Sequence, residues 1–223
     1  MAESNKHFVL GSNIEAAADA GEGEAIFGCG CFWGAEKGFW RLPGVVTTAV
    51  GYAGGNNPSP SYEAVCGGRT GHAEVVRVVW NLEKIDISDL LKLFWECHDP
   101  TQGDRQGNDR GSQYRSVIYT NTQQDLLAAQ ASRDAYQQKL SSKGYPAITT
   151  EIKTDQIFYI AEPYHQQYLA KPGSRPYCSA QPTGVSLGPF QGCHYLLPEK
   201  VWSHFDWSVS HCVLRGENRP ILL

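Results

Sequence analysis

The residue best suited to chemistry in this sequence is Cys31, which follows Gly28-Cys29-Gly30. The short apolar run Ala25-Ile26-Phe27 is typical of a buried strand, and a segment of helical character covers about residues 33–40. This order predicts a thiol at a helix N-terminus, where free N–H groups and the helix dipole favour the thiolate and lower its pKa. The thiolate is the nucleophilic form, so the pattern indicates a reactive cysteine. On spacing alone, a cysteine that merely fills space in the core is the alternative.

A second candidate is Glu74, which lies inside the strongest strand signal of the chain, residues 71–80. Both faces of that segment are mostly apolar, which predicts a central strand covered on both sides. A carboxylate there loses its hydration, and its pKa rises unless the group is paired. A carboxyl that stays protonated at neutral pH could act as a general acid. The alternatives are a pair with Arg77 or His72, or a place at the hydrated end of the strand.

The elements that must position these residues alternate between strands and helices. Predicted strands cover residues 25–30, 45–52, 71–80 and 115–120, with weaker ones at 149–153 and 157–161, and predicted helices cover 33–41, 88–98, 121–140 and 164–169. In the longest helix we expect Leu127, Ala131 and Ala135 to form the core stripe. The order favours an α+β fold, a two-layer sandwich in which helices pack on a mixed β-sheet, followed by a long irregular C-terminal tail.

This reading divides the chain into three parts. We expect an N-terminal arm (1–24), a catalytic α+β domain (25–177) and an irregular C-terminal segment (178–223) that carries Cys178, Cys193 and Cys212. The last part is rich in proline, glycine and serine and has few periodic segments, so its fold cannot be predicted from the pattern.

Composition limits the class of partner. Of 223 residues, 41% are hydrophobic and 19% charged, and the net charge is −4 without a basic block, so neither nucleic acid nor an anionic membrane is expected as a partner. The apolar runs are far shorter than the roughly 20 residues that span a bilayer. No signal-peptide core is visible between Met1 and Ala20. Seven cysteines, an odd number, predict a reducing compartment, and we expect a cytoplasmic monomer.

Several short motifs across most of the chain resemble one enzyme family. They are Gly30-Cys31-Phe32-Trp33-Gly34, Tyr52-Ala53-Gly54-Gly55, Thr70-Gly71-His72-Ala73-Glu74-Val75-Val76, Gln106-Gly107-Asn108-Asp109-Arg110-Gly111-Ser112-Gln113-Tyr114-Arg115 and Tyr164-His165-Gln166-Gln167-Tyr168-Leu169. In this order they resemble the A-type peptide methionine sulfoxide reductases over roughly residues 25–178. The resemblance implies an α+β oxidoreductase that reduces methionine S-sulfoxide, free or in oxidised proteins, to methionine.

The resemblance also implies roles for single residues. Cys31 would be the nucleophile, and Glu74 would be the acid that protonates the departing oxygen. Tyr62, Asp109 and Tyr114 fall at the polar positions of the family's pocket. The two tyrosine hydroxyls could hold the sulfoxide oxygen, and Asp109 could hold the polar part of the substrate through a water molecule.

Two aromatic residues fall where the family encloses the S-methyl group of the substrate. They are Phe32 and Trp33, directly after the cysteine. Without the motif, both would be interpreted as ordinary core aromatics.

Attack on the sulfoxide sulfur leaves a sulfenic acid on Cys31, which a second thiol must convert to a disulfide. By the resemblance, Cys178 is this resolving cysteine and thioredoxin, or another dithiol, is the electron donor; neither a bound cofactor nor a metal is implied. Well-studied members have a second recycling cysteine soon after the first, and this sequence lacks it. Cys193 or Cys212 could take that role, or be inert. We interpret Cys29 as a bystander, because a Cys-x-Cys disulfide is strained.

Two functions of other classes remain as alternatives. One is a zinc-binding module in the tail built from Cys178, Cys193-His194 and His211-Cys212, although no Cys-x-x-Cys pair or zinc-finger spacing supports it. The other is an inactive domain that binds methionine-rich partners through its aromatic residues. The presence of both Cys31 and Glu74 argues against the second alternative.

Overall fold

The computed structural model describes residues 5–223. Its strands are β1 (Glu22–Cys29), β2 (Val45–Ala53), β3 (Ala73–Asn81), β4 (Arg105–Gln106), β5 (Asp109–Arg110), β6 (Ser116–Thr120), β7 (Glu151–Thr154) and β8 (Tyr159–Ile160). Its α-helices are α1 (Phe32–Trp40), α2 (Tyr62–Cys66), α3 (Ile87–Cys97), α4 (Gln123–Ser142) and α5 (Glu199–Trp202). Single 3₁₀ turns lie at Ser112–Tyr114, Tyr168–Ala170 and Cys212–Leu214.

Six strands form one mixed sheet in the order β7-β6-β1-β3-β2-β8. All neighbours are antiparallel except β6 and β7, which are parallel. β3 lies between β1 and β2, as its apolar pattern predicts. Phe27 of β1 is opposite Val76 of β3, so the end of β1 that leads to Cys31 lies beside Glu74. The sheet register therefore brings the two candidate residues to the same place.

Alternate residues of the sheet face two different environments. On one face, Phe27, Val76 and Ile118 belong to the main core together with residues of α1, α3 and α4. On the other, a smaller group that includes Ile26 and Val75 packs against Phe158. The predicted two-layer α+β architecture, with helices packed on a mixed sheet, is confirmed.

The helix ends follow their capping residues. The sequence predicts Asn121 or Thr122 as the cap of α4, and the side chain of Thr122 caps it. The sequence predicts Ser88 as the cap of α3, but the structure has Asp86 there, which forms a capping box with Asp89. The cap therefore lies two residues earlier than predicted.

The buried face of α4 differs from the predicted stripe. Leu127 is 56% exposed, so its assignment to the core is wrong. The helix instead buries Ser132 and Tyr136, whose hydroxyls bond the Trp95 indole at 2.8 Å and Thr183 at 2.7 Å. These hydrogen bonds orient the helix by polar contacts that an apolar pattern cannot show.

The C-terminal segment is irregular, yet it is packed onto the helices. Buried carboxylates of α3 hold it: Asp89 accepts from the Leu196 and Leu197 N–H groups, and Glu96 accepts from the Leu187 N–H. Eleven of its side chains join the main core, namely Cys178, Ala180, Leu187, Phe190, Leu197, Val201, Trp202, Phe205, Cys212, Val213 and Ile221. None of the described helices is long and apolar enough to cross a bilayer.

Candidate active site

Cys31 occupies the N-cap position of α1, directly before the first helical residue. The preceding Gly30 has φ of +92°, which disfavours any residue with a Cβ, and a Cβ there would lie 2.7 Å from Cβ of Gln106. Glycine is thus required where the chain turns from β1 into α1. The Cys31 side chain is nearly buried, with 9% of the residue exposed.

The protonation state of Cys31 differs from the expectation. Burial raises the pKa of its thiol well above the ordinary value, and the charge of Glu74 raises it further. The Trp33 N–H lowers this pKa, but it does not offset the loss of hydration. The prediction of a lowered pKa is therefore wrong for the resting site, which holds a protonated thiol.

Glu74 extends from β3 towards the same helix end. Its Oε2 accepts a hydrogen bond of 3.1 Å from the Phe32 N–H, and the residue is 2% exposed. Burial raises the pKa of its carboxyl to about 8, with a further contribution from Asp109, although the Phe32 N–H lowers it. The predicted rise in pKa is confirmed. A neutral carboxyl thus lies beside a neutral thiol at pH 7.

The alternative partners proposed for Glu74 are engaged elsewhere or lack a contact with it. The Arg77 guanidinium forms an ion pair with Glu24 and donates to the Ile14 carbonyl at 3.2 Å. Neither ring nitrogen of His72 has a hydrogen-bond partner within the described part of the chain. Glu74 therefore owes its raised pKa to burial and stays without a compensating cation.

Tyr62 and Tyr114 lie around this carboxyl. Burial is the largest cause that raises the pKa of each phenol, and Glu74 raises both further. Both hydroxyls consequently remain protonated and able to donate hydrogen bonds at any physiological pH. The Tyr62 backbone is fixed by Glu162, whose Oε1 accepts from its N–H at 2.9 Å.

Aromatic rings form the wall next to Cys31. The Trp33 ring stacks on Tyr168 with centroids 3.9 Å apart, and its indole N–H donates to Nδ1 of His165 at 3.1 Å. The Phe32 ring lies 5.2 Å from the His165 ring, and Tyr177 meets Trp33 edge-on at 6.4 Å. The structure thus brings the two predicted aromatic residues into one cluster.

His165, Tyr168 and Tyr177 were not assigned to the site by sequence reasoning. The first two belong to the motif Tyr164-His165-Gln166-Gln167-Tyr168-Leu169. The presence of a His and a Tyr in a motif that carries the family resemblance is the signal that could have indicated them. For Tyr177, the only signal in the sequence is its position directly before Cys178.

Asp109 contacts the segment that carries Cys178. Its two carboxylate oxygens accept hydrogen bonds from the hydroxyls of Tyr177 and Ser179, the residues on either side of Cys178. Each oxygen therefore has one donor from the protein and keeps a further lone pair that can accept. Asp109 fixes the segment that carries the second thiol.

Cys178 lies against the first turn of α1. A Cβ at Gly34, one turn after Cys31, would overlap Sγ of Cys178 and come within 3.0 Å of its Cβ. The missing side chain at position 34 therefore makes the room in which the Cys178 thiol sits. Burial raises the pKa of this thiol to about 12, so it too is protonated at rest.

The two remaining tail cysteines lie in different places. The His211 N–H donates to the Ala180 carbonyl at 3.1 Å, which joins the Cys212 turn to the segment after Cys178. By contrast, the N–H next to Cys193, that of His194, donates to Ser88 at the start of α3. Cys97 lies at the other end of α3, and its charge raises the pKa of both Cys178 and Cys212, so it is close to both. At 1.5 Å per residue, these two ends of α3 are about 14 Å apart.

This separation bears on the zinc alternative. Its tail residues do not assemble, since the group of close metal-ligating side chains between residues 5 and 223 is Cys29, Cys97 and His98. Both ring nitrogens of His98 are engaged, with the Phe94 carbonyl at 2.7 Å and the Ser116 hydroxyl at 2.8 Å. That cluster is a hydrogen-bonded part of the core, and Cys29 belongs to it.

A thiol at a helix N-terminus, with a proton donor and a second thiol within reach, characterises an oxidoreductase that works through cysteine. Comparison with known proteins specifies the class. The family model described as "Peptide methionine sulfoxide reductase" matches residues 23–186. This chain belongs to the peptide methionine sulfoxide reductase family.

Individual relatives are similar over most of their length. The peptide methionine sulfoxide reductase MsrA of Salinispora arenicola is 57% identical over 188 residues, 83% of this chain and 85% of that protein. The MsrA of Vibrio cholerae is 52% identical over 189 residues, 85% and 89% of the two chains.

Solved structures show the same fold. Methionine sulfoxide reductase A of Corynebacterium diphtheriae superposes with a TM-score of 0.73 at 44% identity, over 82% of this chain and 89% of that one. The reduced form of Mxr1 from Saccharomyces cerevisiae gives a TM-score of 0.64 at 35% identity, over 73% and 92% of the two chains.

Proposed function

We propose that this chain reduces methionine S-sulfoxide, in oxidised proteins and as the free amino acid, to methionine. The observation that carries the proposal is the neutral carboxyl of Glu74 held at the N-terminus of α1 beside the Cys31 thiol. A sulfoxide oxygen gains negative charge when its sulfur is attacked, and a buried acid can neutralise that charge. The nucleophile and the acid that this reaction requires are therefore adjacent.

The first step balances without an external reductant. Cys31 Sγ forms a bond to the sulfoxide sulfur while Glu74 gives its proton to the oxygen. The sulfur–oxygen bond and the new sulfur–sulfur bond then break as the OH group passes to the Cys31 sulfur, which releases methionine and leaves a cysteine sulfenic acid. The thiol proton of Cys31 returns to Glu74. The sulfoxide is reduced by two electrons, and Cys31 is oxidised by two.

The surrounding residues orient the substrate in this proposal. The hydroxyls of Tyr62 and Tyr114 donate hydrogen bonds to the sulfoxide oxygen, because both stay protonated near Glu74. The apolar faces of Phe32 and Trp33 contact the S-methyl group. Exclusion of water by these rings strengthens the hydrogen bonds to the oxygen.

Cys178 is the proposed resolving residue. Its sulfur attacks the Cys31 sulfenic acid, the disulfide forms, and water leaves. Two observations support this role: Cys178 packs against Gly34, and Asp109 accepts hydrogen bonds from Tyr177 and Ser179 on either side of it. A dithiol protein such as thioredoxin then restores the thiols by exchange.

Cys212 is the proposed second recycling residue, in preference to Cys193. Its turn is bonded to the segment that follows Cys178, whereas Cys193 lies at the far end of α3. Attack of the Cys212 sulfur on Cys178 would free Cys31 and leave a Cys178–Cys212 disulfide. We place this chemistry in the cytoplasm and in a monomer, and the seven free thiols support a reducing compartment.

A single turnover without reductant tests these assignments. Reduced protein is mixed with methionine S-sulfoxide, methionine is counted, and disulfides are mapped by mass spectrometry. We expect methionine with a Cys31–Cys178 link that moves to Cys178–Cys212. Cys178→Ser should still release methionine and should leave a sulfenic acid on Cys31 that dimedone traps.

Serine variants of Cys193 and Cys212 show which of these two cysteines takes part in recycling. Cys212→Ser should stop at the Cys31–Cys178 link, whereas Cys193→Ser should behave like the native protein. A link to Cys193 in the native protein would contradict the choice of Cys212. If no methionine forms while Cys31 stays reduced, the proposed reaction itself is wrong.

Filling the space beside Cys178 gives a further expected result. Gly34→Ala should slow formation of the Cys31–Cys178 disulfide about tenfold, since a displacement near 1 Å can cost that much or more. Gly38→Ala is the matched control, because a Cβ there meets Leu93 and Val213 no closer than 3.4 Å. Loss of free thiols is followed by rapid quenching. Equal rates in the two variants would show that the packing at position 34 does not place Cys178.

A further inference from the structure

A further fully buried carboxylate lies in α1, and the proposed reaction does not use it. Glu36 is 0% exposed and has no ion pair among the residues that the structure describes. It is surrounded by hydrogen-bond donors instead. The Gln167 N–H reaches Oε2 at 2.8 Å, and Oε1 receives the Gln167 Nε2 group at 2.7 Å and the Thr48 hydroxyl at 3.0 Å.

The direction of these hydrogen bonds follows from His7. Nδ1 of His7 accepts from the Val9 and Leu10 N–H groups at 3.1 and 3.0 Å, so the ring proton is on Nε2. Nε2 lies 2.9 Å from Thr48 Oγ1 and donates to it. The Thr48 hydroxyl then donates its own proton to Glu36. Every contact of Glu36 is thus with a donor, which is the arrangement of an ionised carboxylate.

The residue that Glu36 holds has an unusual backbone. Gln167 has φ of +47° and is 1% exposed. A residue other than glycine persists in this left-handed region only where its surroundings fix it. Its N–H and Nε2 groups both donate to Glu36, and its Oε1 accepts from the Phe8 N–H at 3.1 Å. Gln167 therefore has no unused polar group.

Gln167 also determines where part of the aromatic wall lies. It directly precedes Tyr168, which stacks on the Trp33 ring, and it lies two residues after His165, which accepts from the Trp33 indole. A change in the Gln167 backbone would rotate Tyr168 relative to Trp33 and would displace the short segment that carries His165. The contacts of Glu36 with Gln167 therefore reach the substrate pocket through the adjoining residues of the same segment.

We propose that Glu36 is a positioning residue for substrate binding: its carboxylate holds Gln167 in the left-handed conformation and thereby keeps His165 and Tyr168 against Trp33. The proposal rests on the proposed function for the identity of the substrate. It assigns Glu36 to binding and leaves the chemistry to Cys31 and Glu74.

Protonation of Glu36 would turn one of its acceptor atoms into a donor facing an N–H group. Burial raises the pKa of Glu36 to about 7, so this change falls in the physiological range. Among residues 5–223, two titratable groups face it. His7, from the N-terminal segment, stays neutral because burial lowers its pKa to about 3, and the positive charge of Lys171 lowers the pKa of Glu36. The pocket is therefore ordered above about pH 7 and loosened below it.

The native protein provides the first test. We expect the indole N–H resonance of Trp33, assigned with Trp33→Phe, to shift with a midpoint near pH 7. The half-saturating methionine sulfoxide concentration in single turnovers should rise about tenfold from pH 8 to pH 6, since only the ionised fraction binds well. A Trp33 resonance that stays constant between these pH values would overturn the proposal.

Glu36→Gln provides the second test, because its amide group places a donor opposite the Gln167 N–H. At pH 8 we expect the half-saturating concentration to rise about tenfold, the maximal rate to stay within about twofold, and the acidic dependence of binding to disappear. Glu96→Gln is the matched control: Glu96 is 1% exposed and accepts the Leu187 N–H at 2.7 Å, but it holds the tail. Native binding in Glu36→Gln, or equal weakening in both variants, would contradict the role.

A third variant covers a failure of Glu36→Gln to fold. Gln167→Gly adopts the left-handed backbone without help from Glu36, so it should fold, bind the substrate at pH 8 within about twofold of the native protein and lose the acidic dependence of binding. An acidic dependence of binding that persists in this variant would overturn the proposal. If the native protein reduces no methionine sulfoxide, the proposed function fails, and the Trp33 titration still decides whether Glu36 controls the aromatic wall.

Discussion

Replacing Cys31 with serine is expected to lower the rate of methionine formation by about 10⁴-fold or more, as for the loss of a nucleophile in other covalent enzymes. A serine hydroxyl fits the same N-cap position, so the fold should be kept. It cannot attack the sulfoxide sulfur, however, because its pKa is far higher than that of a thiol and its oxygen is a weak nucleophile. The measurement is methionine released in a single turnover, quantified by chromatography.

Cys193→Ser is the matched control for this substitution. The Cys193 sulfur accepts the Phe190 N–H at 3.3 Å, a contact that a serine oxygen can also make, and it lies away from the site. We expect native single-turnover rates from it. Methionine formation at a native rate in Cys31→Ser would place the nucleophile at another of the seven cysteines.

Replacing Glu74 with glutamine is expected to lower the rate of the reduction step by about 10²- to 10⁴-fold, the usual contribution of a positioned general acid. The amide keeps the volume of the side chain but cannot give a proton to the sulfoxide oxygen. The pH dependence gives a second readout. Glu74 must be protonated to act, and its pKa is about 8, so the native rate should hold below pH 8 and fall above it.

The fall in rate above pH 8 should be absent from Glu74→Gln. Single-turnover rates of Glu74→Gln between pH 6 and 9.5 should show no decline that begins near pH 8. Glu83→Gln, an exposed position in a turn, is the control and should keep the native profile. A native rate in Glu74→Gln, or a decline that persists there, would assign the proton to another group, and Tyr114 would be tested next.

The parts of the site that the sequence predicts are those that depend on local order. A strand, a glycine, a cysteine and a helix follow one another directly, so the position of Cys31 at the start of α1 needs no long-range information. Glu74 is similar, because a carboxylate inside an apolar strand indicates burial and a raised pKa from the pattern alone.

The parts that the sequence does not predict depend on distant segments. The Cys31 pKa moves opposite to the expectation because burial and Glu74 together outweigh the helix N-terminus. Asp109 turns to the hydroxyls beside Cys178, a contact across about seventy residues that no periodicity encodes. Gln167 is a further example, since its left-handed backbone is stabilised by Glu36 and Phe8 from other parts of the chain.

The fold of the irregular C-terminal segment cannot be predicted from the sequence for a related reason. Hydrophobic periodicity reports the face of a helix or strand, and a segment without regular structure has no such period. Its buried hydrophobic residues share one core with residues of α1, α3 and α4, and carboxylates such as Asp89 and Glu96 anchor its backbone. The sequence shows the residues involved but not which of them meet.

Cys178 already packs against Gly34 before any substrate is present, and this has a consequence for the resistance of the protein to oxidative damage. A sulfenic acid can meet a second molecule of peroxide and become a sulfinic acid, which most cells cannot repair. That event is a collision between two molecules and depends on peroxide concentration, whereas a thiol already within the site reacts at a rate set by geometry. In the proposed mechanism, Cys178 therefore shortens the life of the most vulnerable intermediate. The protein can keep working in the conditions that create its substrate.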